Sequence, residues 1–200
     1  MTASNDDQNS VKPTAESLAN AAKAASGKGL PPVHLWNPPF CGDLDMRIAR
    51  DGTWFYLGTP IGRAPLVRLF STILRKDGDD YFLVTPVEKV GITVDDAPFV
   101  AIDFEISSAG DQQVLTFTTN VGDQCTASTQ NPIRVTRDLK TGEPAPYVLV
   151  RSNLEALIDR KSFYRLVDLG EHQQKDGISW FGIASSGTFF PIIPSTELDG

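Results

Sequence analysis

Two hundred residues with 40% hydrophobic content and 9% aromatics suffice for one large domain or two small ones with a sizeable core. A formal charge of −7 argues against a nonspecific nucleic-acid binder, because neutralising phosphates takes an excess of Lys and Arg. No apolar run near the N-terminus can serve as a signal peptide or membrane span, so a cytoplasmic protein with Cys41 and Cys125 both reduced is expected.

Residues 1–29 are small and polar, with Leu18 the only large apolar anchor of an Ala-rich stretch from Pro13 to Ala25, and are expected to form a disordered or weakly helical tail. The following LPPVHLWNPPF, Leu30 to Phe40, holds four prolines and reads as extended. Trp36 and Phe40 are expected to pin it across the first sheet; on a competing reading Trp36 and Asn37 wall a ligand pocket. His34 and Cys41 supply only half of a four-ligand zinc site, so no metal is expected.

Leu44, Met46 and Ile48 alternate with polar neighbours as a half-buried strand does, and Asp51-Gly52 then reverses the chain. Trp54 to Leu57 is apolar throughout and predicts a strand covered on both faces. A helix follows from about Pro65, with Leu66, Leu69, Phe70, Ile73 and Leu74 on its buried face and Arg68, Ser71, Thr72 and Arg75 opposite. Arg75 and Lys76 would oppose the dipole at its C-terminal end, with Gly78 as cap.

Beyond it, Tyr81 to Val84, Phe99 to Ile106, Val114 to Thr118, Ile133 to Thr136 and Tyr147 to Val150 read as strands. In the second of these, Val100, Ile102, Phe104 and Ile106 are expected to share one face. Residues 120–132 read as a polar loop carrying Cys125. Ser152 and Glu155 fit a capping box for a helix with Leu154, Leu157 and Ile158 on its apolar face, and Ser162 restarts a helical piece running to Gly170. Trp180 to Ile183 and Phe189 to Ile193 predict a closing hairpin.

Asp51-Gly52, Asp77-Gly78 and Asp176-Gly177 each precede an aromatic strand. Either this is common turn chemistry or it marks a duplicated strand–helix–strand unit. No nucleophile elbow, phosphate loop, dinucleotide fingerprint or His cluster is present, and Asp79-Asp80 and Asp95-Asp96 read as solvated acidic turns. A Cys-His pair drawing on His34 or His172 would need long-range assembly.

The best-placed binding group is Arg63, just before the predicted helix, where free backbone N–H groups favour an anion. Lys89 and Glu88 follow a strand end and can join it, and Trp36 or Trp54 can stack on a base. Against this, Arg63 can cap structure or pair with Glu88, Asp95 or Asp96.

The run GTWFYLGTPIGRAPLVRLFSTIL, followed by YFLVTPVEKVGITVDDAPF, resembles the proteobacterial domain of unknown function 1285 family, and the likeness extends from the LWNPP segment to the final FFP. That resemblance implies a duplicated α+β core with a C-terminal half similar to pleckstrin-homology folds. It also implies a site between the halves for a nucleotide-like or nucleic-acid-based ligand, and a role in signal transduction; it supplies no catalytic motif.

The expectation is thus an α+β protein of two similar strand–helix–strand halves with mainly antiparallel sheets: a tail over 1–29, an N-terminal half over 30–97 and a pleckstrin-homology-like C-terminal half over 98–200. It would bind a small anionic, nucleotide-like ligand through Arg63, Lys89, Glu88, Trp36, Asn37 and Trp54, without catalysis or cofactor. The alternatives are a protein–protein adaptor using the C-terminal half, favoured by an apolar patch near Trp180 and Phe189, and a hydrolase with an unrecognised site.

Overall fold

The computed structural model describes residues 12–198. Strand β1 (Phe40–Ile48) buries Leu44, Met46 and Ile48 as the alternation requires. The chain turns at Asp51-Gly52 into β2 (Trp54–Tyr56) and β3 (Thr59–Pro60), crosses in helix α2 (Ala64–Thr72), and returns as a second antiparallel meander, β4 (Leu74–Asp77), β5 (Asp80–Val84) and β6 (Lys89–Val94). The last strand of the second meander lies parallel to the first strand of the first, giving the order β3-β2-β1-β6-β5-β4.

The same order recurs. Strands β7 (Phe99–Ala109), β8 (Gln112–Thr119) and β9 (Gln124–Thr126) form one meander, and β10 (Ile133–Arg137), β11 (Pro144–Arg151) and β12 (Leu154–Ile158) the other. Again the first and sixth strands pair in parallel, Phe99 with Ala156 and Ala101 with Ile158. The repeated unit is therefore six strands, not a strand–helix–strand motif. Helix α2 joins the two meanders in the first copy, where the second has only the 127–132 loop. Helix α3 (Arg160–Val167), capped by Asp159, comes after the sixth strand. The third Asp-Gly turn falls outside the repeat, in a separate sheet of β13 (Glu171–Lys175), β14 (Ile178–Ser185) and β15 (Thr188–Pro194). That sheet is tied to β8 by the buried Ser185 hydroxyl, which donates to Ala127 O at 2.8 Å and accepts from Leu115 N–H at 3.0 Å.

Several expectations change. The Ala-rich segment is helix α1 (Ala15–Ala25), capped by Thr14, and it docks Leu18 and Ala22 fully buried against the region of α2. Residues 1–11 of the expected tail lie outside the described residues. Helix α2 stops at Thr72, so Arg75 and Lys76 stand in β4 and Gly78 in the β4–β5 turn; Leu74 is buried from a strand rather than a helix. Ser71, expected on the solvent face, is buried with its hydroxyl on Arg68 O at 2.7 Å. Residues 154–158 form β12 instead of a helix, because Ser152 takes a left-handed φ of 49° in a tight turn and sends the chain back along β11. Cys125 is a buried residue of β9 rather than part of a loop. A bulge in β7 between Ala101 and Asp103 breaks the alternation, leaving Ile102 44% exposed while Phe104 stays in the core. In β2 only Trp54 is fully covered, Phe55 and Tyr56 being half-buried.

Candidate ligand-binding cleft

The two six-stranded halves are stitched by polar side chains. Asn120 accepts the Val100 N–H at 3.0 Å and donates to Gly52 O at 3.3 Å. Arg151, at the end of β11, pairs with Asp123 and donates to Ser71 O at 2.7 Å, and Asn153 donates to Lys76 O at 3.1 Å.

Beside this seam opens a cleft of about 670 Å³ with three walls. One is the proline-rich strap, which presents Trp36 and Asn37; the second is β4, with Arg75 and Asp77; the third is the β11–β12 turn, with Arg151 and Asn153. The strap lies there because Arg75 clasps it: one guanidinium nitrogen donates to Val33 O at 3.0 Å and Trp36 O at 2.7 Å, while the other two donate to Asp77 at 2.8 and 3.2 Å. Lys89 completes the clasp, 2.9 Å from the same carboxylate and 3.9 Å above the Phe82 ring. Burial opposes ionisation of Asp77, but the hydrogen bonds from Arg75 and Lys89 outweigh it and hold the carboxyl below its ordinary range.

The charge balance in the cleft opposes that of the chain. Among the described residues its charged lining is Arg75, Lys76 and Arg151 against Asp77 alone, in a protein of net charge −7. Burial pushes Arg151 down to about 10, still well above neutrality, and Asp123 faces it. Lys76 rests 5.2 Å from the Tyr81 ring and, among the described residues, has no ion-pair partner, so it is the uncommitted cation of the cleft.

The structure distributes the expected site residues rather than gathering them. Trp36 and Asn37 line the cleft, and Lys89 braces its clasp. Glu88 closes the β5–β6 turn, its carbonyl accepting the Thr85 N–H at 2.9 Å, and burial raises its carboxyl above the usual range. Trp54 is 1% exposed and stacks on Phe70 at 6.3 Å, so its ring is closed to a ligand from solvent. Arg63 opens α2 beside a different groove of about 1080 Å³ between α1 and α2. That helix end offers an anion little: Pro65 has no N–H, and the Leu66 and Val67 N–H groups both bond Arg63 O, at 3.0 and 3.2 Å.

Arg75, Asp77, Arg151 and Asn153 went unseen in the sequence. Reading Asp77-Gly78 as a hairpin turn, like Asp51-Gly52, places Arg75 and Asp77 on the strand that enters it; nothing local marks Arg151 or Asn153. His172 meets Ser195 at 2.7 Å on the outer sheet rather than a cysteine, and Cys41 is an exposed free thiol. Trp180 and Phe189 are half-buried. Among the described residues no cluster of three or more His, Cys, Asp or Glu is arranged to hold a metal, and no helix is long and apolar enough to cross a membrane.

Comparison with known proteins divides the chain where the structure does. Residues 31–97 match the model of the N-terminal domain of the DUF1285 domain of unknown function, and residues 98–192 that of the C-terminal domain of the DUF1285 proteins of unknown function. The crystal structure of a DUF1285 family protein from Silicibacter pomeroyi DSS-3 is similar at 64% identity and TM-score 0.82, covering 92% of this chain and 98% of its own. A DUF1285 family protein from Shewanella baltica OS155 is 29% identical over 62% of this chain and 91% of its own, with a TM-score of 0.49. Comparison with curated proteins gives no significant match. Two consecutive domain matches and a 64% identical relative over nearly the whole chain show that this protein belongs to the DUF1285 family.

Proposed function

We propose that the protein is a non-enzymatic receptor for a small anionic, nucleotide-like ligand, held in the cleft between its two halves, with a role in signal transduction. The observation that carries this reading is the excess of positive charge lining the cleft in an otherwise acidic chain. Such a site attracts a compact anion, whereas a long polyanion meets the repulsion of the remaining surface. A volume near 670 Å³ lies within the usual range for sites that enclose a small organic molecule. Lys76 supplies the free cation, Asn37 an amide for hydrogen bonds to a base edge, and Trp36 an aromatic surface for stacking. Arg75 and Arg151 are committed to protein groups, so they shape and charge the walls while the ligand is met by their neighbours. Arg63 lies outside this site.

Calorimetric titration against a panel of mono- and dinucleotides at low salt tests the proposal. Trp36→Ala and Lys76→Ala are each expected to weaken binding about tenfold or more, and Arg63→Ala to leave it unchanged. Loss with Arg63→Ala but not with the cleft variants moves the site to the α1–α2 groove. Absence of heat and of chemical-shift change with every nucleotide overturns the reading.

A further inference from the structure

The outer strand of the third sheet, β13, is an open edge, and all five of its residues, Glu171 to Lys175, are exposed. An open edge offers its outward N–H and C=O groups to another strand. Which residues face outward follows from the hairpin. Strands β13 and β14 are joined by Asp176 and Gly177, with φ of 54° and 79°, a two-residue turn of the kind that matches strand twist. The flanking pair, Lys175 and Ile178, is then hydrogen-bonded, and bonding alternates along the ladder. Lys175, Gln173 and Glu171 direct their backbone groups to β14, and His172 and Gln174 direct theirs outward. Among the described residues those outward groups make no backbone bond beyond the hairpin.

We propose that this edge is a self-association surface: a second copy of the chain adds its own β13 antiparallel, about a two-fold axis at Gln173, joining two three-stranded sheets into one of six. The segment EHQQK is complementary to its own reverse. In that register His172 faces Gln174 of the second copy, and Gln174 faces His172, so the four residues with free backbone groups are paired with one another. Glu171 faces Lys175 of the second copy, and the symmetry repeats that ion pair at the other end. A slip of one residue sets free backbone groups against committed ones. A slip of two keeps the bonding phase and loses both Glu–Lys pairs. The paired segment is short, so the dimer is weak and its population follows concentration.

Sedimentation velocity on the full chain from micromolar to near-millimolar concentration is expected to show a reversible monomer–dimer equilibrium. Glu171→Lys and Lys175→Glu each set like charges opposite one another at both ends, and each is expected to weaken the dimer about tenfold; the double substitution restores it. Gln174→Pro removes an N–H that faces solvent in the monomer, so the variant keeps its circular dichroism and thermal midpoint while losing the dimer. A chain that sediments as a monomer throughout overturns the proposal. So does a dimer that both single charge swaps leave intact, or one that the double swap fails to restore.

Discussion

Arg75 reaches from β4 to the backbone of Trp36, donating to its carbonyl at 2.7 Å, and through that bond one side chain sets the position of a whole cleft wall. A lysine ammonium gathers its donors on a single nitrogen and cannot span the strap carbonyls on one side and Asp77 on the other, as the three nitrogens of the planar fork do. Arg75→Lys is therefore expected to lower stability by about 1–3 kcal/mol and to shift Trp36 fluorescence to the red as the strap lifts. Acid has a related effect. The Asp77 carboxyl is held below its ordinary value of 3.8, so its contribution is present above that pH and lost as pH falls through the depressed folded value. Fluorescence followed below about pH 4 should show the red shift in the parent, with Asp77→Asn showing it already at neutral pH. An unchanged spectrum in both variants would contradict the clasp.

Helix α1 is part of the packed structure, with Leu18 0% exposed. Leu18→Ala is expected to cost about 2–5 kcal/mol in equilibrium urea denaturation, and removal of residues 1–26 to lower the thermal midpoint. Phe70→Ala, emptying the space against Trp54, is expected to cost about 3–5 kcal/mol. A loss under about 1 kcal/mol for either would place that side chain at the surface.

The two cysteines should differ in both reactivity and linkage. Burial pushes the Cys125 thiol from 9.0 up to about 11, so the unfolded chain releases this proton first and stability falls as pH rises between those values. Cys125→Ala should flatten the decline of the denaturation midpoint across that window. Tyr147, pushed up to about 12 by burial and its bond to Asp96, adds a loss of the same sign at higher pH in both proteins. With a thiol reagent at neutral pH, the native chain should react rapidly at Cys41 alone, and Cys41→Ser should abolish that phase.

Gly52 sits at φ 84°, and a Cβ there would stand 2.5 Å from the Asn120 amide nitrogen. Gly52→Ala is expected to destabilise by at least about 1 kcal/mol, through backbone strain and through loss of the Asn120 bridge between the halves. Asn120→Ala measured alongside separates the two effects. If Gly52→Ala costs nothing beyond Asn120→Ala, the backbone is not strained.

Local chemistry made much of this fold readable. The alternation of Leu44, Met46 and Ile48, the Asp-Gly turns and the aromatic hairpin at the end each carry their instruction within a few residues. Where a residue served two patterns, tertiary structure decided. Leu74 continues the helical spacing from Phe70, yet the chain leaves the helix at Ile73 and buries Leu74 from β4. Ser152 and Glu155 have capping-box spacing, but pairing with β11 and β7 draws Leu154–Ile158 into a strand. The cleft was legible only in Trp36 and Asn37. Its other walls come from β4 and from a turn at Ser152 and Asn153, and no periodicity connects positions so far apart.

The parallel pairing at the centre of each half has a consequence for how the chain is made. Ile48 finds its partner Val94 only when the sixth strand emerges, and Ala101 waits in the same way for Ile158. Two meanders can form early, but neither sheet closes until its last strand arrives, and non-local closures of this kind are slow. During synthesis the first half can complete itself before the second has begun. The second, until β12 is present, leaves β7 with an open edge beside an already finished neighbour of the same strand order. Mispairing between halves is then the characteristic error, and the two edges differ in register: β1 meets β6 with shifts between Phe40 and Asp43 and between Asp43 and Arg47, whereas β7 meets β12 without one.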